Sequence, residues 1–324
     1  MKEIKYQSKS FQIKVEEPLD LESGSTLQDL RIQYHTVGKM NEDKSNVVWV
    51  FHALTANSDP MEWWPKFIAP GNPIDPDRDF IICANVIGSC YGSTEPMNFE
   101  FPLLTIKDLV CAHQVLKKRL KIEKIKLGIG GSLGGQQILE WAVQEPELFE
   151  TIVPLATNVR HSAWGIAFNE AQRMALKHQD LEKGLENARA IAMLSYRNYD
   201  TYEKTQTDFD NRMDDYSAAS YQRYQGEKLR KRFSAYSYYY LSKAMDSHHI
   251  GRYFGSTEKA LKRIQSNVIS IGITSDILFP VQEQELIAKH TPNGVFHPIE
   301  SLYGHDAFLL EIDQINTILK QELS

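Results

Sequence analysis

The feature that most constrains this chain is Gly130-Gly131-Ser132-Leu133-Gly134, set between two segments of opposite periodicity. Residues 124–129 (KIKLGI) predict a buried strand, and residues 133–143 (LGGQQILEWAV) predict a helix that stops before Pro146. A strand, a sharp turn and a helix in this order match the G-x-S-x-G pattern, in which the turn lifts a serine hydroxyl above a sheet edge. Glycines two before and two after the serine relieve crowding there. About one random chain in ten of this length would contain the bare pattern, so the flanking strand and helix carry the inference. A rival reading makes Gly128, Gly130 and Gly134 a dinucleotide loop, but the third glycine is displaced and no early βαβ unit starts there.

The rest of the chain repeats the alternation. Residues 47–51 (VVWVF) and 80–86 (FIICANV) predict strands, and positions 106, 109, 110, 113, 116 and 120 trace a helical stripe behind a Thr105–Asp108 capping box. A strand at 151–156 (TIVPLA) follows. Strand signals then stop, and from 160 to about 253 the pattern is helical, polar and tyrosine-rich. Alternation resumes with a strand at 268–273 (VISIGI), a helix at 281–290, a short strand at 296–299 and a last helix from Ala307. The expectation is an α/β fold with a mostly parallel sheet flanked by helices. Its core would be residues 1–159 and 263–324, with 160–262 inserted as a helical lid.

A serine hydroxyl needs a base to take its proton, and the base needs an acid to fix its tautomer. In this kind of fold they follow in the order Ser, Asp, His. Asp276, just past the strand ending at Ile273, and His305, in the Tyr-Gly-His-Asp loop before the last helix, satisfy that order and complete a triad with Ser132. His52, also after a strand, is the rival base, although its place suits an oxyanion loop. Asp59 and Asp246 read as solvated. Two backbone N–H groups must meet the developing oxyanion: Leu133 supplies one, and Leu54, in the turn 52–56 (HALTA), is the candidate for the other.

Composition narrows the class. A net charge of −6 argues against nucleic acid as a partner, and the short KLRKR run at 228–232 reads as a solvated helix face interleaved with Glu227. Three scattered cysteines without metal-ligand spacing suit reduced thiols, and no metal is expected. The first ten residues lack a secretion signal, and nowhere do about 18 apolar residues run together, so a cytoplasmic location away from the membrane is expected.

Several segments together resemble the homoserine O-acetyltransferase family of the α/β-hydrolase superfamily: HALTA at 52–56, NVIGSCYGSTEP at 85–96, GGSLGGQQILEW at 130–141, RHSAWGIAFNEAQR at 160–173, the stretch 220–241 and YGHDAFLLE at 303–311. The resemblance implies a ping-pong acyl transfer of methionine biosynthesis. By the same resemblance acetyl-CoA would be the co-substrate and L-homoserine the acceptor, with no bound cofactor expected. It also implies that Arg189 and Tyr196 hold homoserine, with Arg189 on its carboxylate and Asp306 on its ammonium. A surface ion pair for Arg189 and a helix cap for Asp306 are the plain alternatives. Leu133 and Gln136 stand where the family commonly has Met, and Glu95 where it has Gly, and the segment between lid helices is short. A succinyl donor, a serine acceptor or simple ester hydrolysis therefore stay open. The lid would keep water from the acyl-enzyme, and its tyrosines at 236–240 could pack a homodimer, as in the family.

Overall fold

The computed structural model describes residues 6–323, so part of the stretch read for a secretion signal lies outside the described residues. In chain order it runs β1 (Lys9–Val15), β2 (Leu19–Asp20), β3 (Thr26–Leu27), β4 (Leu30–Val37), β5 (Val47–Phe51), α1 (Pro60–Trp63), β6 (Phe80–Ala84), α2 (Ile106–Arg119), β7 (Ile125–Gly131), α3 (Leu133–Gln144) and β8 (Phe149–Leu155). Helices α4 (Ala163–Leu176), α5 (Leu181–Tyr196), α6 (Tyr199–Gln206), α7 (Ser217–Arg230), α8 (Ala235–Asp246) and α9 (Thr257–Leu261) follow. Then come β9 (Asn267–Ile273), α10 (Val281–His290), β10 (Gly294–Ile299), a 3-10 turn (Gly304–Asp306), α11 (Ala307–Leu310) and α12 (Ile312–Glu322).

Eight strands form one sheet in the order β1-β4-β6-β5-β7-β8-β9-β10. From β6 to β10 every neighbouring pair is parallel, as expected where the inner strands are mostly apolar and buried. All five residues of β5 are buried. The antiparallel β1 and β4 extend one edge and were not anticipated. Their sequences alternate apolar with polar residues, the signature of strands near an edge rather than of the buried runs that mark the centre. The capping box of α2 forms as read: Asp108 N donates to Thr105 Oγ1, and Thr105 N donates to Asp108 Oδ2 at 2.8 Å. The last helix is broken at Glu311 into α11 and α12.

Helices α4 to α9 all lie between β8 and β9, which are themselves paired neighbours, so the sheet closes across the excursion. Its neck is tied by backbone bonds from His161 to His248 and from Ile250 to Val159, both 3.0 Å. The tyrosines at 236–240 do not form an outward face: Tyr238 and Tyr240 are buried, and Tyr236, Tyr239 and Tyr240 pack on Phe99 and Phe101 of the same chain. Among the described residues no helix is long and apolar enough to cross a membrane.

At the start of α10, Glu283 turns one carboxyl oxygen into the interior, where Oε2 has no hydrogen-bond partner. Burial pushes its carboxyl from 4.5 up to about 7, the neighbouring Asn158 amide opposes the rise, and the charge of Asp276 adds to it. The folded chain therefore holds this proton more tightly than the unfolded chain. Between pH 4.5 and 7 the unfolded state releases it first, and stability falls as pH rises. Glu283→Gln should flatten that decline and raise the melting temperature at pH 8 by roughly 2–4 °C. Thermal melts from pH 4.5 to 8 check this, and an unchanged slope would contradict it.

Candidate active site

Strand β7 ends in the turn that presents Ser132, whose backbone sits at φ 59°, ψ −124°. A non-glycine residue in this region is strained and persists only when its surroundings hold it. Ser132 N donates to the Leu155 carbonyl at 3.0 Å, while its own carbonyl accepts from Thr157 Oγ1 at 2.9 Å and Gln136 N at 3.1 Å. The end of β5 crowds the turn from the other side. A Cβ at Gly134 would lie 2.3 Å from the Phe51 carbonyl oxygen, and one at Gly130 2.7 Å from it. The two glycines of the motif are thus required by a close backbone approach.

The base and acid come from separate loops. His305 Nδ1 donates to Asp276 Oδ2 at 2.6 Å, with both side chains buried. The bond to a carboxylate places the proton on Nδ1 and leaves Nε2 free to accept. The second carboxylate oxygen of Asp276 accepts from Leu278 N at 2.8 Å and Phe279 N at 2.9 Å, which fixes the acid. Phe279 stacks on the imidazole at 5.0 Å, with Phe308 at 5.4 Å and Tyr196 at 5.7 Å around it. Ser132 and His305 line one cavity of about 380 Å³. No hydrogen bond joins their side chains directly in this structure.

Leu54 borders the same cavity, in a turn closed by a 3.0 Å bond from Ala56 N to Ala53 O. Leu133 opens α3, where the first backbone N–H groups have no acceptor within the helix. Among the described residues, neither the Leu54 nor the Leu133 N–H has an acceptor. The rival base is spent elsewhere: His52 Nδ1 donates to Ala53 O at 2.9 Å and Nε2 accepts from Val86 N at 3.0 Å. Burial pulls its pKa down to about 4, so it stays neutral and structural.

Two carboxylates read as solvated are engaged. Asp59 caps α1 through Met61 N and accepts from Ser8 Oγ at 2.6 Å. Asp246 pairs with Arg173 at 2.6 Å and accepts from Asn169 at 2.8 Å.

Arg189 and Tyr196, both on α5, reach the cavity, with the guanidinium 5.1 Å from the ring centroid. Burial raises the Tyr196 hydroxyl above its ordinary range, the Arg189 charge opposes this, and Asp306 adds to it. Arg189 enters no ion pair among the described residues, which removes the surface-pair reading. Asp306 also borders the cavity. It makes no capping bond to α11 and pairs instead with Arg197 Nη2 at 3.1 Å.

Arg197, Glu62, Trp63 and Arg232 were not singled out as site residues. Arg232 corrects an expectation: the basic run was read as a solvated helix face, but α7 ends at Arg230 and Arg232 lies beyond it on the cavity wall. No local pattern distinguishes it from its basic neighbours.

Comparison with known proteins agrees with this geometry. The alpha/beta hydrolase fold family matches residues 46–312. A homoserine O-acetyltransferase of Cyclobacterium marinum is 46% identical, with 94% of this chain and 92% of that protein aligned. One from Chlorobaculum parvum is 43% identical, covering 93% and 90%. The crystal structure of homoserine O-acetyltransferase from Staphylococcus aureus superposes with a TM-score of 0.86 at 29% identity, covering 98% of this chain and 96% of that one. Esterase E22 superposes at 0.88 with 18% identity over 98% and 100%, a likeness of fold alone. With a serine elbow, an Asp-bound histidine and relatives of this closeness along nearly its whole length, the chain belongs to the homoserine O-acetyltransferase family of the α/β-hydrolase fold.

Proposed function

We propose that this protein transfers the acetyl group of acetyl-CoA to the hydroxyl of L-homoserine through an acetyl-Ser132 intermediate, in the cytoplasm and in the service of methionine biosynthesis. One observation carries the reading: a single cavity holds the nucleophile, its Asp-oriented base, an unpaired cation and a carboxylate. The last two suit the opposite charges of an amino-acid acceptor.

In the first half-reaction His305 Nε2 takes the Ser132 proton as Oγ attacks the thioester carbonyl. The N–H groups of Leu54 and Leu133 stabilise the oxyanion. The tetrahedral intermediate collapses, the carbon–sulfur bond breaks, and the CoA sulfur leaves with the proton held by His305. In the second half the homoserine hydroxyl gives its proton to His305 and attacks the acetyl carbonyl. Collapse breaks the ester to Ser132, which recovers the proton. Arg189 binds the homoserine carboxylate, Asp306 its ammonium, and Tyr196 forms the wall between them. Water competes for the same acyl-enzyme, so the reading requires residues 160–262 to act as a lid that admits the amino acid and excludes solvent. A homodimer would use the outer lid helices, where Tyr199 and Tyr224 stand exposed on α6 and α7, with Phe209 and Met213 between them.

Incubation with acetyl-CoA should release free CoA at a rate that depends on homoserine, with acetyl-CoA and homoserine outpacing succinyl-CoA or serine in every combination. Release that ignores homoserine would mark a hydrolase, and equal turnover with succinyl-CoA or serine would overturn the substrate assignment. Arg189→Met and Asp306→Asn should each raise KM for homoserine about 10- to 100-fold, the cost of losing one charge-assisted bond. Acetyl-enzyme formation should change far less. Steady-state and single-turnover kinetics separate the two, and an unchanged KM would remove these residues from the acceptor site.

A further inference from the structure

The turn that carries Leu54 is held at three points. Upstream, the buried His52 ring is fixed by Ala53 O and Val86 N, and Gln137 donates to the His52 carbonyl at 3.4 Å. Downstream, Trp63 Nε1 donates to Asn57 O at 3.1 Å. The middle is held from the insertion. Arg232 Nη1 donates to the Thr55 carbonyl and, at 3.0 Å, to the Tyr91 hydroxyl, and Nη2 reaches Thr55 Oγ1 at 3.5 Å.

The chain around Arg232 is itself anchored. Arg232 N and Phe233 N both bond the Leu229 carbonyl at 3.0 Å, and the buried Phe233 ring packs against Tyr91 at 5.8 Å. Burial holds the Tyr91 hydroxyl above its ordinary pKa while Arg232 opposes the rise, so the phenol stays neutral and accepts from the guanidinium. A planar fork that reaches a carbonyl, a phenol and a hydroxyl at once is a geometry an ammonium cannot copy.

From this three-way contact we infer that Arg232 is a positioning residue. It fixes the Thr55 carbonyl, so that the adjoining Leu54 N–H stays aimed at the cavity only while the helical insertion is seated. The inference rests on the proposed acyl transfer and on the oxyanion role of Leu54. It makes the insertion part of the catalytic geometry as well as a cover, because an error of about 1 Å in such a donor is enough to cost on the order of 100-fold in rate.

The test is rapid-quench measurement of acetyl-enzyme formation with acetyl-CoA and no homoserine, in the wild type, Arg232→Met, Arg232→Lys and Tyr91→Phe. Arg232→Met should acylate about 10- to 100-fold more slowly at saturating acetyl-CoA. Its half-saturating acetyl-CoA and its melting temperature should stay close to wild type. Added guanidinium ion should restore part of the rate, Arg232→Lys should recover less than guanidinium does, and Tyr91→Phe should lose only a few-fold. Acylation of Arg232→Met at the wild-type rate would overturn the inference. So would a loss confined to half-saturating acetyl-CoA, which would make Arg232 a donor contact. Failure of the wild type itself to form an acetyl-enzyme would instead bring down the underlying function, and this inference with it.

Discussion

The position of the Ser132 hydroxyl depends on a backbone held where L-residues are rarely stable. Ser132 takes a positive φ at the junction of β7 and α3, at a cost on the order of 1–3 kcal/mol. The strain persists because the neighbours leave no alternative: Leu155 and Thr157 grip the peptide from β8 and the residues after it, and Phe51 closes in from β5. The hydroxyl is thereby projected from the sheet at the same place where the first turn of α3 offers free N–H groups. Relaxing the turn would move the Ser132 hydroxyl and the Leu133 N–H together.

Around this point the chain spends buried polar groups freely. Gln136, one turn into α3, donates to Asn158 at 3.1 Å and lies 3.3 Å from His161 Nδ1. Asn169 links the other side of that ring to Asp246, which is paired with Arg173. The elbow helix is therefore joined through side chains to α4 and α8 of the insertion. The glutamine at 136 fits this polar path, since an apolar side chain could not donate to Asn158. With Arg232 on the turn that carries Leu54 and Arg197 on Asp306, the insertion reaches the cavity by three separate polar routes.

The parts legible in the sequence were those with local signals. The strand at 47–51, the capped helix from Ile106 and the strand–turn–helix around Ser132 each announce themselves within about fifteen residues, by periodicity, cap chemistry and glycine placement. The pairing of Asp276 with His305 was reachable because chain order and post-strand position restrict where two such side chains can meet. Strands β1 and β4, at one edge of the sheet and next to it, were missed because their apolar–polar alternation contains no continuous buried run of the kind that marks the central strands. Arg197, Arg232 and the engagement of Asp246 were missed for a different reason. Each depends on a partner from another element, Asp306 for Arg197, Thr55 for Arg232 and Arg173 for Asp246, and nothing in the local pattern of a charged residue names its partner. The tyrosines at 236–240 show the converse, since a pattern that could suit a partner molecule is satisfied within the chain.

The central claim is that the hydroxyl at 132 becomes covalently acylated by acetyl-CoA. The most direct measurement is peptide mass spectrometry on acid-quenched enzyme after brief exposure to acetyl-CoA alone, followed by a chase with homoserine. The account predicts one acetyl group on the peptide containing Ser132, discharged by the chase. An acetyl group on another residue, or an unmodified Ser132 peptide while CoA is being released, would contradict it.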